Sequence, residues 1–177
     1  MNLHSEKIIL LMRHAKSSWR APSLSDYERP LDSQGSENTH KMAGYLAKQL
    51  LIPDQIFSSP ALRARSTTEI MMDQLNLPAS SLTWNDKLYF TESQSYIDAI
   101  HSANESSGTI LIVGHNPMIE NVLGILTNRL KYRSINTGTI ICLQPGKSAW
   151  KNVQSGECSL KWIVSPSDLP EKCSQKV

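Results

Sequence analysis

Thr109–Pro117 reads TILIVGHNP. The first five residues are β-branched or apolar without alternation, the pattern of a strand covered on both faces. Gly114-His115-Asn116-Pro117 then turns the chain out of that strand. Met118 to Leu126 follows with apolar residues at helical spacing, and Asn116 stands where a helix cap is expected. Upstream, Glu92 to Ala103 carries Tyr96, Ile97, Ile100 and Ala103 along one helical side. Leu82 to Leu88 reads as a strand. Before it, Pro60 opens the helix ALRARSTTEIMMDQL, at a position where its missing N–H costs nothing. Asp54 to Ser59 is a second short strand. Ser36 to Leu51 is a helix through Met42, Ala43, Leu46, Leu50 and Leu51, stopped by Pro53. Lys7 to Met12 (KIILLM) is a first strand with the same two-sided burial pattern. Downstream, Thr139 to Leu143 and Ser159 to Val164 are β-rich. Strand and helix thus alternate, which predicts an α/β fold with a mainly parallel sheet and helices on both faces.

No linker divides the 177 residues, so residues 1–166 are expected to form one domain, with 167–177 a polar C-terminal tail. A net charge of +2 is too small to announce a nucleic-acid or membrane partner. No stretch approaches the roughly 20 apolar residues of a membrane helix. The first apolar run is too short and too soon broken by charge for a signal peptide, and the expected location is cytoplasmic. Cys142, Cys158 and Cys173 form no CxxC and suggest neither a disulfide framework nor a zinc knuckle.

In a sheet of this kind ligands bind beyond the carboxyl ends of the strands. The first strand ends in Arg13-His14. The second ends in Ser58-Ser59-Pro60, with Arg63 and Arg65 in the next helical turn, and the TILIV strand ends in His115. Two histidines and two or three arginines therefore converge on one edge. Arginine offers a planar fork of donors that fits phosphate oxygens and stays charged. A neutral histidine is a nucleophile towards phosphorus, and neighbouring arginines favour its neutral form. A second histidine, protonated, would serve as a further charged donor, so the pair would carry opposite protonation states. Arg65, two residues beyond Arg63, faces elsewhere and is expected to be solvated. HExxH, GxGxxG, GxxxxGK[ST] and GxSxG are all absent, which leaves zinc, nucleotide-loop and serine-elbow chemistry without support.

The ordered motifs LMRHAKSS, SSPALRARSTTE and IVGHNP resemble those of the histidine phosphatase superfamily (the phosphoglycerate mutase-like fold). DYERPLDSQG, Asp26 to Gly35, is similar to its SixA-like phosphohistidine phosphatase branch. The resemblance implies a three-layer αβα sandwich and a transient phosphohistidine on His14. It implies Arg13, Arg63 and His115 as catalytic partners, and Arg29 as a further phosphate-binding arginine. Ser17 and Asn116 are additional candidates for substrate binding. Many members place a glutamate after the third strand as general acid. Here that region reads KLYFTESQ, with Phe90 near the position, so Glu92 or Asp26 are the candidate acids. No metal and no other cofactor is expected. The expected substrate is a phosphorylated protein bearing phosphohistidine. The alternatives are a small phosphomonoester and, further off, phosphomutase chemistry or a module that binds phosphate without turnover.

Overall fold

The computed structural model describes residues 6–19, 23–89, 92–129, 134–146 and 149–170. Among these residues six strands form one sheet: β1 (Ile8–Arg13), β2 (Gln55–Ser58), β3 (Leu82–Trp84), β4 (Thr109–Gly114), β5 (Ile140–Pro145) and β6 (Cys158–Val164). Their spatial order is β3-β2-β4-β1-β5-β6. The pairs β1–β4, β2–β4 and β2–β3 are parallel, whereas β5 runs antiparallel to both β1 and β6. The mainly parallel α/β sheet read from the alternation is therefore present.

Among the described residues four helices connect the strands: α1 (Ser33–Lys48), α2 (Leu62–Gln74), α3 (Ser93–His101) and α4 (Met118–Thr127). The two-sided burial inferred from KIILLM and TILIV divides cleanly by residue parity. Ile9, Leu11, Ile110 and Ile112 join one core with Tyr96, Ile100, Ile119 and Val122 of α3 and α4. Leu10, Met12, Leu111 and Val113 join the other with Met42, Leu46, Ala64 and Met71 of α1 and α2. Helices thus cover both faces, giving three layers. Each large aliphatic side chain so buried contributes roughly 1.5–3 kcal/mol, and together they hold β1 and β4 in register. That register pairs Arg13 with Gly114, which sets the two strand ends side by side.

Several elements differ at their ends from their sequence signals. The strand expected over Leu82 to Leu88 ends at Trp84, and Asp86–Leu88 forms a 3-10 turn that sends Leu88 into the core. α1 spans Ser33–Lys48 rather than Ser36 to Leu51, because Asp32 caps it by accepting a hydrogen bond from Gly35 N at 2.7 Å. Pro60 precedes the Ala61 cap of α2 instead of occupying the helix's first turn. Beyond β6, Pro166–Asp168 forms a 3-10 turn, and Leu169 packs against the α1–α2 side of the core. Residues 171–177, including Cys173, lie outside the described residues. Among the described residues no helix is long and apolar enough to cross a membrane.

Candidate active site

His14 follows β1 directly. Its backbone N–H donates to Gly114 O at 2.9 Å, which ties the residue to the end of β4. Its side chain is buried. Nδ1 lies 2.7 Å from Ala15 O, and a carbonyl only accepts, so Nδ1 carries the proton. Nε2 then holds the lone pair and accepts from Arg63 Nε at 3.2 Å. Burial pushes the His14 pKa down to about 4, with Arg63, Arg13 and Arg29 adding like-charge repulsion against the partial offset of the Ala15 carbonyl. His14 is therefore neutral at ordinary pH, with one lone pair facing the arginines.

Arg63 is delivered by the first turn of α2 and is only 1% exposed. Its Nη2 donates to Asp26 Oδ2 at 2.9 Å, and its Nη1 donates to the Asp26 backbone carbonyl. Thr67, one turn along α2, accepts from Ala15 N at 3.1 Å and donates to Arg63 O at 2.7 Å. A single hydroxyl thus ties Ala15, the residue after His14, to the helix that carries Arg63. Arg65 is exposed, pairs with Glu69 at 3.5 Å and lies over the Trp84 ring, away from His14.

Arg29 reaches the same cluster from the loop before α1. Its Nε stands 3.0 Å from Asp26 Oδ1, an ion pair whose angles do not make a hydrogen bond. Its guanidinium lies 3.5 Å from the centre of the Trp19 ring. Arg13 donates from Nη1 to Ile135 O at 2.6 Å. Arg13 Nε and Arg29 Nε and Nη1 are buried donors with no hydrogen-bond partner among the described residues. Such donors suit an oxyanion.

His115 follows β4 and is almost fully buried. Its ring centre is 4.9 Å from that of His14, and its Nε2 lies 2.9 Å from Ser59 Oγ. Its backbone N–H donates to Tyr96 OH at 3.1 Å, and that hydroxyl donates to Leu88 O at 3.0 Å. Gly114 is required here, because a Cβ would lie 2.1 Å from the Tyr96 hydroxyl. Burial, helped by His14, Arg63 and Arg13 and opposed by Asp26, pushes His115 down to about 2. This corrects the expectation of opposite protonation states: both rings are neutral, because the pocket desolvates them and surrounds them with arginines.

Asp26 accepts from Arg63 and from Tyr89 OH, the latter at 3.0 Å. Burial alone would raise its pKa, but Arg63, Tyr89 and Arg29 outweigh it and hold the carboxyl below its usual range. A carboxylate held in this way is an anchor for arginines and a poor proton donor near neutrality. Glu92 stands exposed at the N-cap of α3, and its side chain makes no cap hydrogen bond. Neither candidate acid is therefore arranged as a proton source in the pocket, and Phe90 lies outside the described residues. Ser17 is half-buried and pairs by backbone with Leu31 in an isolated bridge. Asn116 does not cap α4. Pro117 is the cap residue, and the Asn116 amide is drawn to Glu120 Oε1 at 2.6 Å and Ile135 O at 3.1 Å.

Ser59 was met only as part of the second strand's end, and Thr67, Tyr89, Tyr96, Glu120 and Ile135 escaped the sequence reading as site residues. Only Tyr96 carried a usable signal, since a tyrosine on an apolar helix face needs a hydroxyl partner. Among the described residues no group of three or more His, Cys, Asp or Glu is placed to hold a metal ion. Cys142 and Cys158 are buried in the core, and burial pushes both thiols up to about 11.

The family model for the histidine phosphatase superfamily (branch 1) matches residues 9–83. Phosphohistidine phosphatase SixA of Escherichia coli is 27% identical over 164 residues, which cover 91% of this chain and 95% of the relative. A solved structure of the protein histidine phosphatase SixA complexed with tungstate aligns with a TM-score of 0.80 at 25% identity, covering 92% of this chain and 99% of that one. The alpha-ribazole phosphatase of Shigella flexneri aligns with a TM-score of 0.67 at 15% identity, covering 93% and 100%, a likeness of fold alone.

Proposed function

We propose that the chain, which is similar to the histidine phosphatase superfamily, hydrolyses phosphohistidine on proteins through a transient phosphohistidine at His14. The observation that carries the reading is the tautomer of His14. Its proton is committed to Ala15 O, so the Nε2 lone pair faces a cluster of arginines. In the first step Nε2 forms a bond to phosphorus as the bond from phosphorus to the leaving group breaks, and the leaving group departs with that electron pair. Arg13, Arg29 and Arg63 balance charge on the phosphoryl oxygens, and His115 lies against the same space. Water then attacks phosphorus, the P–Nε2 electrons return to His14, and inorganic phosphate leaves with the water's oxygen.

An imidazole leaving group demands less protonic help than an alkoxide, which agrees with a pocket where Asp26 is held ionised. A protein substrate is supported by the rim. Trp19, 75% exposed, lies on Arg29, and exposed Tyr27 packs edge-on against Tyr89. The SixA relative carries the same substrate class in its name.

The test is brief incubation with a phosphohistidine protein labelled with radioactive phosphorus. The expected result is an acid-labile, base-stable label on the wild-type protein that is absent from His14→Ala, with kcat/KM above that for simple phosphomonoesters. Preference for small phosphomonoesters would instead make the protein a general phosphomonoesterase. Activity that vanished in chelator and returned with a divalent metal would contradict the mechanism.

A further inference from the structure

Asn116 and Glu120 belong to α4 and its entry, and both reach the segment between α4 and β5. Glu120 Oε1 accepts from Asn116 Nδ2 at 2.6 Å and from the Ile135 backbone N–H at 2.8 Å. The same Asn116 amide donates to Ile135 O at 3.1 Å. The Ile135 peptide is thus gripped from both ends, and its side chain is locked in the core. Its carbonyl accepts the 2.6 Å hydrogen bond from Arg13 Nη1. Three residues on, Gly138 N lies 3.0 Å from both Arg13 O and His14 O. One short segment therefore holds the backbone and the guanidinium of the residue next to the nucleophile. Burial lowers the Arg13 pKa, and Glu120 opposes that shift through space.

We propose that Glu120 is a positioning residue for Arg13: its carboxylate, with the Asn116 amide, fixes the Ile135 carbonyl that aims the guanidinium at the phosphoryl group. The inference rests on the phosphatase reading of the same pocket. Asn116 becomes part of this brace rather than a ligand of substrate. Aiming matters because Arg13 Nε has no protein partner among the described residues, so its usefulness depends on where the Nη1 tether leaves it.

Charge and positioning predict opposite signs, which makes the test decisive. Removing a carboxylate near an anion site should by charge alone tighten anion binding. Loss of aim should weaken it. The measurement is calorimetric titration with inorganic vanadate, a probe that needs no turnover, alongside kcat and KM on the phosphohistidine protein. Glu120→Ala is expected to weaken vanadate by about tenfold, the effect of losing one charge-assisted hydrogen bond. Glu120→Gln keeps the acceptor for Asn116 and Ile135 and should bind at least as tightly as wild type. Glu120→Asp, which keeps the charge and withdraws it by one methylene, should weaken binding and serves if the alanine variant does not fold. In an Arg13→Ala background, Glu120→Ala should add no further loss. Unchanged or tighter binding in both Glu120→Ala and Glu120→Asp, or an undiminished loss in the Arg13→Ala background, overturns the proposal. A wild-type protein that binds no vanadate removes the phosphatase reading itself, and the brace with it.

Discussion

At the scale of single residues, the pocket is organised around two histidines kept neutral by desolvation. His14 falls to about 4 and His115 to about 2, both below the unfolded value of about 6.5. Their contribution to stability is therefore complete above about pH 6.5. It is lost as pH drops towards 4 for His14 and on towards 2 for His115, because the unfolded chain takes up those protons first. Carbon-detected NMR of the two imidazoles should show no titration between pH 8 and pH 5. A midpoint near 6.5 for His14 would show that the ring is solvated and the proposed nucleophile differently placed. Arg13, His14, Arg63 and His115 were legible in the sequence because each follows or closely trails an unmistakable apolar strand. Thr67, Tyr89 and Glu120 were not, because their value lies in what the fold brings to them: Ala15 N for Thr67, Asp26 for Tyr89, Ile135 N for Glu120. Asn116 misled for a related reason. Its capping role was outbid by a charged acceptor one turn along α4.

Among the elements, α1 offers a contrast between two glycines. Alanine in a helix interior normally gains about 0.5–1 kcal/mol over glycine. At Gly44 an added Cβ meets nothing within 4 Å, so Gly44→Ala should stabilise by that amount. At Gly35 it would lie 2.0 Å from Lys16 O, the backbone of the loop that leaves His14. Gly35→Ala should therefore destabilise by about 1–3 kcal/mol in urea unfolding, the ordinary cost of overpacking, and lower activity as the loop shifts. Equal signs for the two variants would mean that α1 and this loop are not in contact. The type of each long element was readable from periodicity. Its ends were not, since they follow from a cap at Asp32, a 3-10 turn at Asp86–Leu88 and an early stop in β3. Strand order was likewise hidden, because pairing across the sheet leaves no trace in local spacing.

For the molecule as a whole, binding and stability are one equilibrium. Vanadate at about a hundred times its Kd adds about 2.7 kcal/mol, which raises Tm by roughly 5–10 °C for a chain of this size. Thermal melts should show that rise in the wild type and in Arg65→Ala, whose side chain pairs with Glu69 outside the pocket, and little of it in Arg63→Ala. Equal shifts in the two arginine variants would show that Arg63 is not a binding group.

The place of β4 has a consequence for how the pocket comes into being. β1 and β2 never touch as ladder partners; β4, which the chain reaches after both, slides between them and pairs with each. Arg13, His14 and Arg63 precede that insertion in the chain, whereas His115 arrives on the inserted strand itself. Residues 14–108 separate β1 from β4 and residues 59–108 separate β2 from β4, so both pairings are non-local closures of the slow-forming kind. The pocket therefore exists only once β4 has docked: a chain whose central strand is unpaired holds the arginines and His14 of the cluster but not His115 beside them.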